Sequence, residues 1–109
     1  MSYHIDRKKW ANKSIFYQMG NIYSEVGRSF AAKSSNRDNE RDQAINRALD
    51  LFDATLSTLE ATKSPKVREV LRSKEQFLGL VYDPKAAQED IDSLDRYFYQ
   101  FAYAERLKH

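Results

Sequence analysis

Two pairs of aspartates have a spacing at which carboxylates can act together. Asp50 and Asp53 are three residues apart, and so are Asp92 and Asp95, so each pair would share one face of a helix. Neighbouring carboxylates can hold a magnesium ion or serve as general acid and base. However, bases such as Arg47 lie close by in the sequence, and helices commonly carry such ion pairs on a solvated surface. We therefore interpret these acids as part of a charged helix surface.

Other signatures of catalytic, metal-binding and phosphate-binding sites are missing from the sequence. The chain has no cysteine, and its two histidines, His4 and His109, lie near its ends, where order is usually poor. It contains no Glu-x-x-His pair, no His-Glu-x-x-His motif, no Walker loop and no Gly-x-Gly-x-x-Gly loop. We therefore predict a protein that is not an enzyme and that has no cofactor, metal or small-molecule substrate.

The length and composition favour one small helical domain. The chain has 109 residues, which fits a single domain over residues 1–109. Its 18 Lys and Arg residues nearly balance 16 Asp and Glu residues, and the net charge of +2 argues against a chain built wholly to bind polyanions. Only 3 Gly and 2 Pro residues leave little for the turns of an all-β fold. The absence of a long apolar run and of a signal-peptide pattern predicts a cytoplasmic protein without a membrane partner.

Three breaks in the pattern of apolar residues divide the chain into four predicted helices. Ser64-Pro65 and Asp83-Pro84 each place a capping side chain before a proline, which is typical of a helix start. The third break is the polar stretch 33–39, whose side chains compete for backbone hydrogen bonds. Short loops make sequential helices antiparallel, so we predict an all-α, antiparallel up-down-up-down four-helix bundle. The predicted helices lie near residues 10–33, 39–62, 65–81 and 86–107.

The first and last predicted helices are apolar over more of their circumference than a monomeric bundle requires. Beside its core stripe the first helix carries a row of small residues, although Gly within a helix costs about 1 kcal/mol relative to Ala. The last helix carries tyrosines on a second stripe. We therefore predict a homo-oligomer built through these two helices; the alternative is that the tyrosines are ordinary surface residues. The predicted interface residues are Trp10, Tyr17, Gly20, Ser24, Gly27, Ala31, Tyr99 and Tyr103.

Lys74 lies in the middle of the apolar face of the third predicted helix. Its stem can pack among apolar side chains while its ammonium group reaches solvent. Alternatively, the ammonium group forms a buried pair with a carboxylate such as Glu25 or Asp53. The sequence favours the first interpretation and leaves both open.

In the predicted bundle, the start of the chain, the second loop and the end of the chain lie together. Nine bases fall there against four acids, which gives one end of a nearly neutral molecule a positive charge. Such an end suits a nucleic-acid backbone, because Lys and Arg displace its condensed counterions. Alternatively, bases near helix C-termini cap carbonyl groups. The predicted nucleic-acid-binding residues are Arg7, Lys8, Lys9, Lys13, Lys63 and Lys66, with Arg68, Arg106 and Lys108 nearby.

The layout of the helices resembles that of small bacterial four-helix-bundle proteins. It consists of an aromatic first helix from Trp10 to Phe30, a charged second helix and the run YFYQF at 97–101 in the last helix. In helix order and length it is most similar to the ribosomal-RNA intervening-sequence protein family and to reverse-transcriptase accessory bundles. The resemblance implies a ring-forming oligomer with a basic surface, no established catalysis, and RNA or DNA as partner. We therefore predict a non-catalytic assembly or adaptor protein that acts as a homo-oligomer, with a nucleic-acid-binding accessory protein as the alternative.

Overall fold

The computed structural model describes residues 5–107, and within this range the chain forms five α-helices and no strand. The predicted all-α class is therefore confirmed. No helix in the described range is long and apolar enough to span a membrane. The helices are α1 (Arg7–Ala11), α2 (Ile15–Ser34), α3 (Asp38–Ala61), α4 (Val67–Tyr82) and α5 (Gln88–Leu107).

The start of the chain folds into two helices where the sequence predicted one. Asp6 caps α1 by accepting a 3.2 Å hydrogen bond from the backbone N of Lys9. Ser14 caps α2 in the same way and accepts a 3.0 Å hydrogen bond from the backbone N of Tyr17. A capping side chain satisfies an amide that has no partner in its own helix, so it allows a new helix to begin at that point. The predicted first helix is therefore wrong at its N-terminal end.

The helices α3, α4 and α5 begin and end within two residues of the predicted bounds. The two Pro-containing segments do not cap them, however. Ser64 Oγ accepts a 3.2 Å hydrogen bond from the backbone N of Lys66, and Asp83 Oδ1 accepts one of 2.8 Å from Lys85. Both bonds span two residues and close a turn ahead of the helix. The expectation that Ser64 and Asp83 are helix N-caps is therefore wrong.

A residue with a left-handed backbone follows both α2 and α3, two positions after the last residue of each helix. The φ angle is 56° at Asn36 and 53° at Lys63. In each case the next residue donates a 2.9 Å hydrogen bond from its backbone N to the carbonyl five residues earlier, as in the Schellman motif. Asn adopts this conformation readily, whereas the Cβ of Lys disfavours it. Lys63 therefore lies at a strained position of the chain.

The long helices meet around a cluster of phenylalanine rings. α2 packs against α3 and α5, α4 packs against α3 and α5, and α1 packs on α3. Phe52 of α3, Phe77 of α4 and Phe98 of α5 are fully buried. The ring centroid of Phe52 lies 6.2 Å from that of Phe77 and 6.0 Å from that of Phe98. Phe30 of α2 lies 5.8 Å from Phe77, so each long helix contributes a ring to this cluster.

Lys74 forms an ion pair at the edge of the interface between α3 and α4. Its Nζ lies 3.0 Å from Oδ1 of Asp53, and the two side chains are 23% and 52% exposed. The lysine stem is packed while the ammonium group reaches a solvated carboxylate, as the first interpretation expected. The alternative interpretation included Asp53 as a partner of Lys74, but it expected a buried ion pair, and this pair is partly exposed. Glu25 instead accepts hydrogen bonds from Arg28 and Arg47.

Candidate interaction surfaces

α2 and α5 approach each other closely at Gly20. A Cβ atom added to Gly20 would lie 3.6 Å from the Cα atom and 3.8 Å from the Cβ atom of Ala102. One turn further along, the rings of Tyr23 and Tyr99 meet edge to face with their centroids 6.2 Å apart. These are ordinary van der Waals distances, so Gly20 lies in the interface between α2 and α5 of one subunit, although an alanine would also fit there.

The rest of the small-residue row on α2 is not covered in this way. Ser24, Gly27 and Ala31 are exposed. Among the described residues, no neighbouring side chain or helix comes within 4 Å of a Cβ atom added at Gly27. At helical spacing these residues continue from Gly20 along one strip of the α2 surface. The strip therefore contacts α5 at Gly20 and is exposed to solvent from Ser24 to Ala31.

Two exposed tyrosines of α5 lie beside this strip. Tyr99 and Tyr103 are 41% and 51% exposed, and their rings stack with centroids 6.1 Å apart. The guanidinium of Arg106 lies over the Tyr99 ring, 5.9 Å from its centroid. Beneath Tyr99, burial and the neighbouring Asp95 carboxylate raise the pKa of Tyr23. We define the α2–α5 face as the surface formed by Gly20, Ser24, Gly27, Ala31, Tyr99 and Tyr103.

The two remaining predicted interface residues differ in their exposure. Tyr17 is exposed on α2, and the Nζ of Lys13 lies 5.1 Å from its ring centroid. Trp10 is only 8% exposed, and its Nε1 donates a 2.9 Å hydrogen bond to Oγ1 of Thr55. The separate helix α1 turns Trp10 inward onto α3, so its prediction as a surface interface residue is wrong.

Contacts between distant segments bring the predicted basic residues to one end of the molecule. Ser14 Oγ lies within hydrogen-bonding distance of Glu105 Oε2, at 3.2 Å, which joins the start of α2 to the end of α5. The Nζ of Lys66 lies 6.0 Å from the ring centroid of Phe101, which joins the start of α4 to α5. We define the basic end as the exposed side chains of Arg7, Lys8, Lys9, Lys13, Lys63 and Lys66.

No salt bridge involves a residue of the basic end within residues 5–107. Arg7 instead donates a 3.4 Å hydrogen bond to Oγ of Ser57. Lys108, His4 and His109 lie outside the described residues. The bases that do form salt bridges are Arg28, Arg37, Arg41, Arg47 and Lys74.

The aspartate pairs make separate contacts on the helix surfaces. Asp92 accepts a 2.9 Å hydrogen bond from Nε2 of Gln88, and Asp53 pairs with Lys74. Across the described part of the chain, no three His, Cys, Asp or Glu side chains are grouped so that they could hold a metal ion.

A cleft of about 440 Å³ lies between α4 and α5, and the sequence did not reveal it. Its walls include Gly79, Asp90 and Tyr97. The hydroxyl of Tyr97 donates a 2.9 Å hydrogen bond to Oε1 of Glu69, and burial together with this bond raises the pKa of Tyr97. The one feature of the sequence that could have indicated this cleft is Gly79, a glycine inside a helix. In the structure, a Cβ atom added to Gly79 would meet nothing within 4 Å among the described residues.

A second cavity, of about 260 Å³, lies where α2 ends and α3 begins. Arg28, Arg37 and Arg47 line it. No local spacing in the sequence points to this site, because it depends on how the two helices align.

Comparison of the chain with protein-family models, curated proteins and solved structures found no match. The functional proposal therefore rests on the geometry of the α2–α5 face and of the basic end.

Proposed function

We propose that the chain is a non-catalytic assembly or adaptor protein that forms a homo-oligomer through its α2–α5 face. In this proposal α2 to α5 form an antiparallel up-down-up-down four-helix bundle, and α1 is an additional short helix on α3. One observation carries the proposal: Gly27 lies uncovered on α2, one turn beyond Tyr23, whose ring contacts that of Tyr99, and Tyr99 is exposed and stacked on the exposed Tyr103.

The energetics of Gly27 support a second helix as the cover for this face. A glycine inside a helix costs about 1 kcal/mol relative to alanine. At Gly20 an added Cβ atom would make ordinary van der Waals contacts with Ala102 of the same subunit, whereas at Gly27 it would meet nothing within 4 Å among the described residues. A second subunit could supply the missing contact, because small residues let helix backbones approach closely.

The tyrosines support the same arrangement. Tyrosine is enriched at protein interfaces because its ring buries a large area while its hydroxyl still finds a partner. A two-fold axis places the same patch of both subunits together. The Tyr99 and Tyr103 rings of one subunit would then cover the small-residue strip of the other.

Light scattering after size-exclusion chromatography tests the proposal. We expect the unmodified chain to elute as an oligomer and Gly27→Leu to dissociate it. Gly79→Leu is the matched control, because Gly79 is also a helical glycine with open space beside it but lies on α4. Gly20→Leu is unsuitable, since its side chain would collide with Ala102 within the subunit. A monomeric mass at micromolar concentration would contradict the proposal.

The second candidate function is nucleic-acid binding through the basic end. The observation that favours it is that this end carries six exposed bases without a salt bridge in the described range, whereas Arg28, Arg37, Arg41 and Arg47 are paired. Bases without paired acids displace condensed counterions from phosphates most effectively, so affinity should fall steeply with salt. Both candidates agree with the resemblance to ribosomal-RNA intervening-sequence proteins, which stays a prediction, as does the cytoplasmic location.

A salt titration of binding to labelled RNA and DNA, single- and double-stranded, tests the second candidate. We expect Lys8→Glu/Lys9→Glu to abolish most of the binding and to flatten its salt dependence. Lys85→Glu/Arg96→Glu changes the net charge equally at exposed positions outside the basic end and is the control. Equal loss in both variants, or no binding at low salt, would reject a phosphate-binding role for the basic end.

A further inference from the structure

The cavity between the end of α2 and the start of α3 brings three arginines together. It measures about 260 Å³ and is lined by Arg28, Arg37 and Arg47, together with Glu40, Gln43 and three alanines. Arg28 lies on α2 and Arg47 on α3, while Arg37 immediately precedes α3. The small alanine side chains leave space beside the three arginines.

The arginines outnumber the carboxylates that neutralise them. Glu25 accepts hydrogen bonds from both Arg28 and Arg47, and Glu40 accepts one from Arg37. Two carboxylates therefore face three guanidinium groups. The nearby Asp38 and Asp42 pair with Arg41, which does not line the cavity. One positive charge at the cavity is thus left without a carboxylate of its own.

The buried carboxylate of Glu25 holds two of the arginines in position. Glu25 is 5% exposed, and a carboxylate in such a place needs charged partners to offset its lost hydration. Arg47 meets it through Nε, which leaves both of its Nη groups for another partner. Each guanidinium has five N–H donors in a rigid plane, and the contacts with Glu25 and Glu40 use one apiece. The arginines that line the cavity therefore keep further N–H donors for a ligand beyond those that bond to Glu25 and Glu40.

We propose that this cavity binds a small oxyanion, namely the phosphate or carboxylate group of a small molecule. The planar donor pairs of arginine match the oxygens of phosphate and carboxylate groups. The unbalanced positive charge favours an anion, and Gln43 adds a neutral donor and acceptor. A volume of about 260 Å³ is below the roughly 300–1,000 Å³ of drug-sized sites, which restricts the ligand to an anionic group with little attached. The cavity shares Ala31 with the α2–α5 face, but the arginine contacts from which this proposal is argued all lie within one subunit.

Isothermal titration of the full chain with inorganic phosphate, and separately with acetate, tests the proposal at constant ionic strength set with chloride. We expect saturable binding of at least one of the two anions, and the tighter one identifies the class of ligand. Arg28→Gln and Arg37→Gln should each weaken binding by about tenfold or more, as expected for the loss of a charge-assisted hydrogen bond. Both side chains are at least half exposed, so these variants should fold.

Arg41→Gln is the matched control, because it removes the same charge from the same region without touching the cavity. We expect Arg41→Gln to bind as the unmodified chain does. Lys8→Glu/Lys9→Glu should also retain binding, which separates this site from the basic end. No saturable binding of either anion, or an equal loss in Arg41→Gln and Arg37→Gln, would overturn the proposal.

Discussion

The indole Nε1 of Trp10 donates a 2.9 Å hydrogen bond to the hydroxyl oxygen of Thr55 and thereby fastens α1 to α3. Both residues are buried, although 45 positions separate them in the chain. The turn that makes this possible is closed by Gln18, whose Nε2 donates to the carbonyl oxygens of Trp10 at 3.0 Å and Lys13 at 3.1 Å. The short first helix is thus an integral part of the core.

Replacing Thr55 by valine should destabilise the fold by about 1–3 kcal/mol, because the buried indole N–H then has no acceptor. Thr58→Val is the control, since the Thr58 hydroxyl donates a hydrogen bond to the carbonyl of Ala54 within its own helix and the structure shows no other partner for it in residues 5–107. Urea unfolding can be followed by the fluorescence of Trp10, the single tryptophan of the chain. Equal stability of Thr55→Val and the unmodified chain would contradict this role.

The residues around Trp10 show why the first helix was mispredicted. Trp10 and Tyr17 are seven residues apart, which fits one face of one continuous helix. The break depends on Ser14, whose side chain caps a new helix, and on Gln18, which closes the turn. The spacing of apolar residues alone cannot distinguish one continuous helix from two consecutive helices whose apolar residues follow the same 3.6-residue repeat.

The boundaries of the later helices were predictable for the opposite reason. The polar stretch 33–39 and the two prolines interrupt helices through their own backbone preferences, which operate locally. The predicted clustering of bases at one end was argued from the order of helices alone, and the contacts of Ser14 with Glu105 and of Lys66 with Phe101 agree with it. By contrast, the arginine cavity requires Glu25 and Arg47 to meet across 22 residues, and only the packing of α2 on α3 determines that.

Arg47 should contribute more to stability than Arg28, although both bond to Glu25. Their side chains are 33% and 65% exposed, so the Arg47 contact is better shielded from water. We expect Arg47→Met to cost about 2 kcal/mol, because it leaves the buried Glu25 with one solvated partner, and Arg28→Met to cost less than about 1 kcal/mol. Unfolding in urea measures both values.

A second substitution shows whether the buried charge causes the loss. Adding Glu25→Leu to Arg47→Met should recover much of the stability, because it removes the buried carboxylate that lacks its partner. If Arg28→Met is the more damaging single variant, or if the double variant is no better than Arg47→Met, the assigned order of the two contacts is wrong.

Lys63→Gly should stabilise the subunit by about 1 kcal/mol. Lys63 has a φ angle of 53° at the end of α3, and glycine adopts this left-handed conformation without the steric cost of a Cβ atom. Lys66→Gly is the matched control, because it removes a neighbouring cation at a φ angle of −77°, where glycine has no such advantage. Thermal unfolding at moderate salt measures the melting temperatures of Lys63→Gly and Lys66→Gly. An equal change in melting temperature in both variants would contradict backbone strain at Lys63.

The hydroxyl of Tyr97 should make stability depend on alkaline pH. Burial and the hydrogen bond to Glu69 raise its pKa above the ordinary value of 10.0. Above that pH the unfolded chain loses the phenolic proton while the folded chain keeps it, so the free energy of unfolding falls as the pH rises. Below that pH both states are protonated, and the stabilisation is fully present. Tyr97→Phe should therefore lose about 1 kcal/mol near neutral pH through the missing hydrogen bond but show a shallower alkaline decline.

Urea unfolding of Tyr97→Phe from about pH 8 to about pH 11 measures both effects. Tyr82→Phe is the control, because Tyr82 is well exposed, and it should follow the unmodified chain. The decline should be reduced in Tyr97→Phe and not abolished, since Tyr23 also has a raised pKa, caused first by burial and then by Asp95. The same alkaline slope in Tyr97→Phe and the unmodified chain would show that the fold does not hold the Tyr97 proton. The contact between Tyr97 of α5 and Glu69 of α4 would then be a surface contact that contributes nothing to stability.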